Sequence, residues 1–287
     1  MMTKHYKVAG HIFFVSVKEE LFALMENYEP FECEGGEPLF SLTIDSGVVP
    51  EYTEVYPSKK KVGIIPGRTA SGIDVFDYKS RTKSEGCLIC SRDHHEGRLI
   101  MTGDISTIIF ERLLRIMYAL AAAEKDTFII HAVVVSYEGK GYLFLGPSGI
   151  GKSTHARMWL EHIEGTELVN DDFPVVRDGI VYGSPWGGFH TPCYRNVSYP
   201  IGGIVALSQA PYNKIHRLSG LEAYMNLFVS SANKKYFGNR IADKMHQLEE
   251  RLASTIPMWH LECLPDEEAA ILCHDTITNR NKEGVIE

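Results

Sequence analysis

No apolar run in this chain approaches the ~18 residues that a bilayer-spanning helix requires, so no membrane role is expected. An excess of cations is missing too: 29 Lys and Arg stand against 37 Asp and Glu, a formal net charge of −8. Binding to a phosphodiester backbone needs a concentrated basic surface, so nucleic acid is not expected as a partner, whereas a single nucleotide needs only a few local cations. Six cysteines in 287 residues are too few for a disulfide scaffold; reduced thiols and a cytoplasmic location are the expectation. The N-terminus, MMTKHYKVAGHIFFVSVKEE, has no long apolar core before a cleavage site and turns acidic at once, which reads as a strand and not as a signal peptide. There is no internal repeat and no low-complexity tract.

What is present is an ordinary globular composition, 44% hydrophobic and 23% charged, long enough for one large domain or two small ones. The first hundred residues carry alternating or β-branched segments near 7–17, 38–44, 52–56, 61–65, 72–78 and 97–102. They are separated by punctuation such as Glu34-Gly35-Gly36 and Pro57-Ser58-Lys59 and interrupted by a short helix near 18–27. At Asp104 the texture changes. A capped helix start at Ser106 and apolar periodicity through Leu113, Met117 and Leu120 predict a helix to about Glu124, opening a second, larger domain. Beyond it the pattern predicts an α/β unit: a continuous strand over 128–137, a second over 142–145, a helix over 152–162 and a strand over 167–170. A hairpin over 174–182, a strand over 201–207, helices near 219–229 and 240–253, a strand near 257–262 and a helix from Asp266 follow. The last dozen residues read as a frayed tail.

Between the strand at 142–145 and the helix at 152 lies Gly146-Pro-Ser148-Gly149-Ile150-Gly151-Lys152-Ser153-Thr154, a P-loop. Its glycines permit positive φ and close backbone approach to phosphate oxygens, successive N–H groups form an anion nest, and the helix dipole adds to it. Lys152 supplies a cation for the β- and γ-phosphates and Ser153 a hydroxyl for magnesium. The competing reading is an accidental glycine-rich turn, which the strand before and helix after argue against. The motif predicts binding of ATP, or another nucleoside triphosphate, with Mg2+.

Asp171-Asp172 closes the strand after that helix, at the sheet edge where α/β proteins bind ligands. One carboxylate there can hold magnesium while the other accepts a proton from an incoming hydroxyl; an Asx turn or helix cap is the plainer alternative. A lone His such as His131 in an apolar strand is usually a core residue.

The block FIIHAVVVSYEGKGYLFLGPSGIGKSTHARMWL…LVNDD resembles the catalytic core of the HPr kinase/phosphorylase family and its smaller HPr-kinase-like relatives. A strand His lies fifteen residues before the first P-loop Gly in that family, as His131 lies before Gly146; the family's G-x-S-G-x-G-K-S is matched by residues 146–153, and its paired Asp by Asp171-Asp172. The same core looks like the nucleotide domain of phosphoenolpyruvate carboxykinase, a far longer enzyme. The resemblance covers about residues 125–210. It implies an α/β fold (α+β overall) with a P-loop core of the HPr kinase and phosphoenolpyruvate carboxykinase type, residues 104–287, behind a smaller β-rich N-terminal domain, residues 1–103. It also implies that Asp172 is the general base, His131 a second catalytic residue near the reacting phosphate, Lys152 a catalytic cation, and Ser153 with Asp171 the metal ligands. Homo-oligomers are a further implication. The segment after the Asp pair departs from the family: in place of its Glu-bearing stretch stands Tyr182–Asn196, YGSPWGGFHTPCYRN, which puts the family's protein substrate in doubt.

Within that stretch Arg195 has the fork to clamp a carboxylate or phosphate, with Trp186 beside it as a second candidate substrate contact; a surface Arg packed on Trp186 or Tyr194 is the alternative. Cys87-Leu-Ile-Cys90 with His94-His95 has the spacing of half a zinc site, although Leu-Ile suits a buried strand better. Taken together these readings predict an ATP-dependent kinase passing a phosphoryl group to a hydroxyl on a small molecule or protein serine. The competing classes are a nucleotide-dependent regulatory module without transfer, and a remnant of carboxykinase lyase chemistry.

Overall fold

A computed structural model describes residues 1–55, 62–81, 83–102, 106–188, 193–232, 236 and 238–279. The Pro57–Lys59 punctuation, the expected boundary at 103/104, the middle of the 184–196 loop and the end of the tail lie outside the described residues. The chain is a mixed α/β protein with two mixed sheets, divided into two units: Met1–Lys125 with Lys235–Gly238, and Asp126–Lys234 with Asn239–Glu287.

In the first unit eight strands run β1 (Met2–Val8), β2 (His11–Val17), β3 (Phe40–Ser46), β4 (Thr53–Glu54), β5 (Val62–Arg68), β6 (Asp74–Ser80), β7 (Lys83–Cys90) and β8 (Glu96–Met101). Their order in the sheet is β1-β2-β3-β8-β7-β6-β5-β4. Ala9-Gly10, both at positive φ, turn β1 into β2, so the segment expected as one strand over 7–17 is a hairpin. The helix expected near 18–27 is a 3-10 segment, Glu19–Phe31, kinked at Met25 and containing Pro30; Pro lacks the amide that an α-helix would need there. Helix α1 (Thr107–Ala123) buries twelve of its residues and packs on β7. It therefore belongs to the first unit and does not open the second: its Tyr118 lies edge-on to Phe13 and Phe40 and donates to Val8 O at 3.0 Å. Ser106 occupies the N-cap position without a side-chain cap bond. Cys87 and Cys90 are three apart on β7 and so face opposite sides. Cys87 packs with Val75 and Ile100, while Cys90 touches Met117. One ion cannot join them, and the half-site reading of this pair falls.

The second unit holds β9 (Thr127–Ile129), β10 (Ala132–Tyr137), β11 (Lys140–Leu145), α2 (Lys152–His162), β12 (Glu167–Asn170), β13 (Val175–Arg177), β14 (Ile180–Tyr182), β15 (Ser198–Gln209), β16 (Lys214–Leu218), α3 (Gly220–Ser230), α4 (Asn239–Thr255), β17 (Met258–Cys263) and α5 (Glu267–Asn279). Its nine-stranded sheet runs β12-β10-β11-β15-β14-β13-β9, with β17 beside β15 and β16 beside β17. The twelve-residue β15 has three neighbours, pairing its first residues with β14 and its later ones with β11 and β17. Phe144, Trp159, Val205, Leu207, Trp259 and Leu261 are all nearly inaccessible and form the core beneath α2 and α5; large side chains of this kind each contribute about 1.5–3 kcal/mol on burial.

The apolar run 128–137 is not one strand. At Ile130-His131 the backbone changes partners: Ile130 N–H donates to Pro174 O, His131 N–H to Ser230 O and Ala132 N–H to Asp172 O. β9 pairs with β13 and β10 with β11 and β12, so His131 stands at the junction.

Candidate active site

Because β11, β15 and β17 run parallel and β10 is antiparallel to both β11 and β12, one sheet edge gathers the C-terminal ends of β12, β11, β15 and β17 and the start of β10. The Gly146–Gly151 loop leaves β11 at that edge and runs into α2. Three glycines take positive φ, 143° at Gly146, 82° at Gly149 and 114° at Gly151. A Cβ on Gly146 would also sit 2.9 Å from Ile150 Cγ2 and 3.3 Å from Leu207 O. These positions need glycine for conformation and, at Gly146, for space. Gly151 is the N-cap of α2 with no side-chain cap bond, so the first amides of the helix stay available for an anion.

Lys152 Nζ donates to Gly146 O at 2.8 Å and Pro147 O at 3.3 Å. Burial lowers its pKa, and the charge of Asp172 opposes that shift, which puts the carboxylate and the ammonium within electrostatic reach. Ser153 is exposed on the first turn of α2.

Asp172 Oδ1 lies 3.2 Å from His131 Nε2, both side chains being partly open to solvent. The imidazole stacks on Phe173 with ring centroids 5.5 Å apart. Asp172 N–H donates to Asn170 Oδ1 at 3.1 Å. Asn170 is fully buried and its amide reaches Ser184 Oγ at 3.2 Å and Trp186 O at 3.4 Å. Asn170, not singled out in the sequence, is thus a positioning residue that fixes the backbone entering the acidic pair; a buried Asn directly before an Asp pair at a strand end was the available signal.

Asp171 points elsewhere. Its carboxylate accepts from the amides of Gly188 and Cys193, the latter at 3.3 Å. Burial raises its pKa, those amides oppose the rise, and the Asp172 charge adds to it. Gly187 and Gly188 are glycines because a Cβ there would come within 2.9 Å of Oδ1 and 2.6 Å of Oδ2. Among the described residues no group of three or more His, Cys, Asp or Glu is placed to hold a metal ion. A nucleotide-borne magnesium needs only one or two protein oxygens of the hard kind, and the Ser153 hydroxyl and the Asp171 carboxylate are of that kind.

The two candidate substrate contacts are otherwise engaged. Arg195 donates to Leu168 O and to Glu167 Oε2, both at 2.7 Å, and the Glu167 bond, with the Glu167 charge, raises its pKa against burial. Trp186 is 1% exposed. Arg195 instead ties its own stretch of chain to β12, a role that its type alone did not reveal.

A cleft of about 790 Å³ opens along the other flank of the glycine-rich loop, lined by Gly149, Thr154, His155, Arg157, Gln209 and Leu264 among others. Its size is that of a small-molecule site.

No protein-family model and no curated protein sequence matches the chain. Among solved structures it is similar to the HPr(Ser) kinase/phosphatase from Coxiella burnetii, at 13% sequence identity over 54% of this chain and 91% of that one, with a TM-score of 0.29. A likeness that distant carries no argument about chemistry. Among the described residues no helix is long and apolar enough to cross a membrane, and all six cysteines are free thiols.

Proposed function

We propose that the second unit is an HPr-kinase-like phosphotransferase, with a P-loop core, that moves the γ-phosphoryl group of ATP to a hydroxyl of a small molecule or a protein serine. The observation that carries this reading is the Asp172–His131 pair, 3.2 Å apart, close enough to Lys152 for Asp172 to act on its pKa.

The loop amides and the N-terminus of α2 hold the phosphates. Lys152 leaves the carbonyls of Gly146 and Pro147 to meet the terminal phosphate oxygens, where charge grows in the transition state. Asp172 accepts the proton of the acceptor hydroxyl as its oxygen bonds to the γ-phosphorus. The bond from that phosphorus to the β,γ-bridging oxygen breaks, and ADP leaves with the electron pair. His131 orients the Asp172 carboxylate and, stacked on Phe173, keeps water from one side of it. Magnesium bound with the nucleotide neutralises phosphate charge, and Ser153 and Asp171 are the residues that would hold it. The first unit is assigned the recognition of the acceptor or of a partner.

Incubation of the full chain with γ-labelled ATP and a fractionated metabolite and protein extract tests the reading. A labelled acceptor with the wild type, lost in Asp172→Asn while ATP still binds, is the expected result. ATP binding without any labelled acceptor would overturn transfer and favour a regulatory nucleotide-binding module.

A further inference from the structure

The cleft and the His131–Asp172 pair lie on opposite flanks of the glycine-rich loop. In the order β12-β10-β11-β15 the loop follows β11. His131 and Asp172 flank it at the start of β10 and the end of β12, whereas Leu207, Gln209 and Leu264 wall the cleft from β15 and beyond β17. A row of phosphates along the loop amides, with its terminal group at Lys152 and Asp172, therefore places its other end at the cleft.

We infer that the cleft takes the nucleoside end of the triphosphate and that His155 is a specificity-determining residue there, donating its Nδ1–H to an acceptor atom of the nucleoside; the inference rests on the nucleotide reading of the loop. His155 sits one turn into α2, 4% exposed, and lines the cleft. Trp159 Nε1 donates to its Nε2 at 3.2 Å, which fixes the proton of the neutral ring on Nδ1. Phe144 meets the ring edge-to-face, with centroids 4.8 Å apart and an interplanar angle of 89°, so the imidazole cannot turn freely. Among the described residues no partner takes Nδ1. Burial keeps the ring uncharged near neutrality, its pKa lowered to about 4; it is a hydrogen-bond donor and not a phosphate cation. Across the cleft the Gln209 amide nitrogen bonds Ile150 O at 3.3 Å, which leaves its carbonyl oxygen for a donor on the base.

Calorimetric titration of the full chain with magnesium ATP and with magnesium tripolyphosphate separates the two ends of the ligand. The wild type is expected to bind ATP at least about tenfold more tightly than tripolyphosphate. His155→Phe, which keeps the ring and removes the donor, should weaken ATP roughly five- to tenfold, the value of one hydrogen bond, and leave tripolyphosphate unchanged. Gln209→Ala, at an exposed position, should act the same way and carries the test if the buried variant does not fold. Equal affinities of the wild type for the two ligands, or variants that weaken both alike, would overturn the inference while the phosphate site stands. If neither ligand binds the wild type, the nucleotide reading fails and the inference with it.

Discussion

Removing the His155 imidazole should change how the protein responds to acid, and the structure sets the size of the change. In the folded chain the ring is buried and neutral with its pKa lowered to about 4 by desolvation; in the unfolded chain it titrates near the usual ~6.5. A base whose folded pKa is depressed contributes stability fully present above about pH 6.5, and that contribution is lost as pH falls toward 4, because only the unfolded chain takes the proton. A difference of about 2.5 units at ~1.36 kcal/mol each gives about 3 kcal/mol across that window. His155→Phe removes this contribution. It also takes from the Trp159 indole N–H its nitrogen acceptor, leaving only the Cys273 sulfur, a pH-independent cost of about 1 kcal/mol. Urea unfolding of both proteins from pH 7.5 to 4 should therefore show the wild type more stable at pH 7.5, with the gap between the two shrinking by about 3 kcal/mol as pH falls. Carboxylates and the other histidines titrate in both proteins and cancel in the gap. A gap that stays constant to within ~0.5 kcal/mol would refute the buried neutral imidazole and, with it, the fixed Nδ1 donor.

Asp172→Asn should lower kcat by about 10²- to 10⁴-fold, the range for loss of a general base, and move the midpoint of thermal unfolding little, since the His131 pair is partly solvated and worth no more than about 1 kcal/mol. Radiolabel transfer and calorimetry check the two halves of that statement, and equal losses of activity and stability would contradict it. Gly188→Ala drives a methyl to 2.6 Å from Asp171 Oδ2, so it should weaken magnesium-dependent ATP binding about tenfold or more and leave magnesium-free binding unaffected. In the first unit, His94 above all, then Arg68, holds the Asp74 carboxyl below its usual pKa against the cost of burial. Its stabilisation is present above about pH 4 and lost as pH falls through the lowered value; in urea unfolding Asp74→Asn should lower stability at pH 7 and flatten the acid limb below pH 4, so that the two proteins converge as pH falls.

The second unit was legible almost element by element because its strands and helices follow their natural periods and are punctuated by Gly, Asp and Ser. The exceptions have physical causes. The run 128–137 is apolar throughout, so nothing in it marks the point where the backbone leaves one set of strands for another; that switch is made by the carbonyls of Pro174, Ser230 and Asp172, distant in sequence. β16, KIHRL, is an edge strand whose side chains are mostly exposed, so polarity hid it. α1 has apolar residues almost all round and could have been assigned to either unit; what decides is its packing on β7. At the site, the loop glycines carry in their type the positive φ that the backbone takes there. Arg195 does not carry its role so, because a guanidinium serves a backbone anchor as well as a ligand contact, and Trp186 does not, because an indole serves a core as well as a site. His155 was readable in principle from its four-residue offset to Trp159 on one helix face.

The bond from Ala132 N–H to Asp172 O has a consequence for every experiment on the acidic pair. The residue next to His131 is tied to the main chain of Asp172 itself, so the main-chain spacing beneath the imidazole and the carboxylate is a property of the peptide scaffold. Either side chain can be cut away without breaking that main-chain tie. Replacing the carboxylate by a small residue leaves a vacancy beside a histidine whose main chain is still held, the condition under which a free carboxylate such as formate, added in solution, can stand in for the missing group.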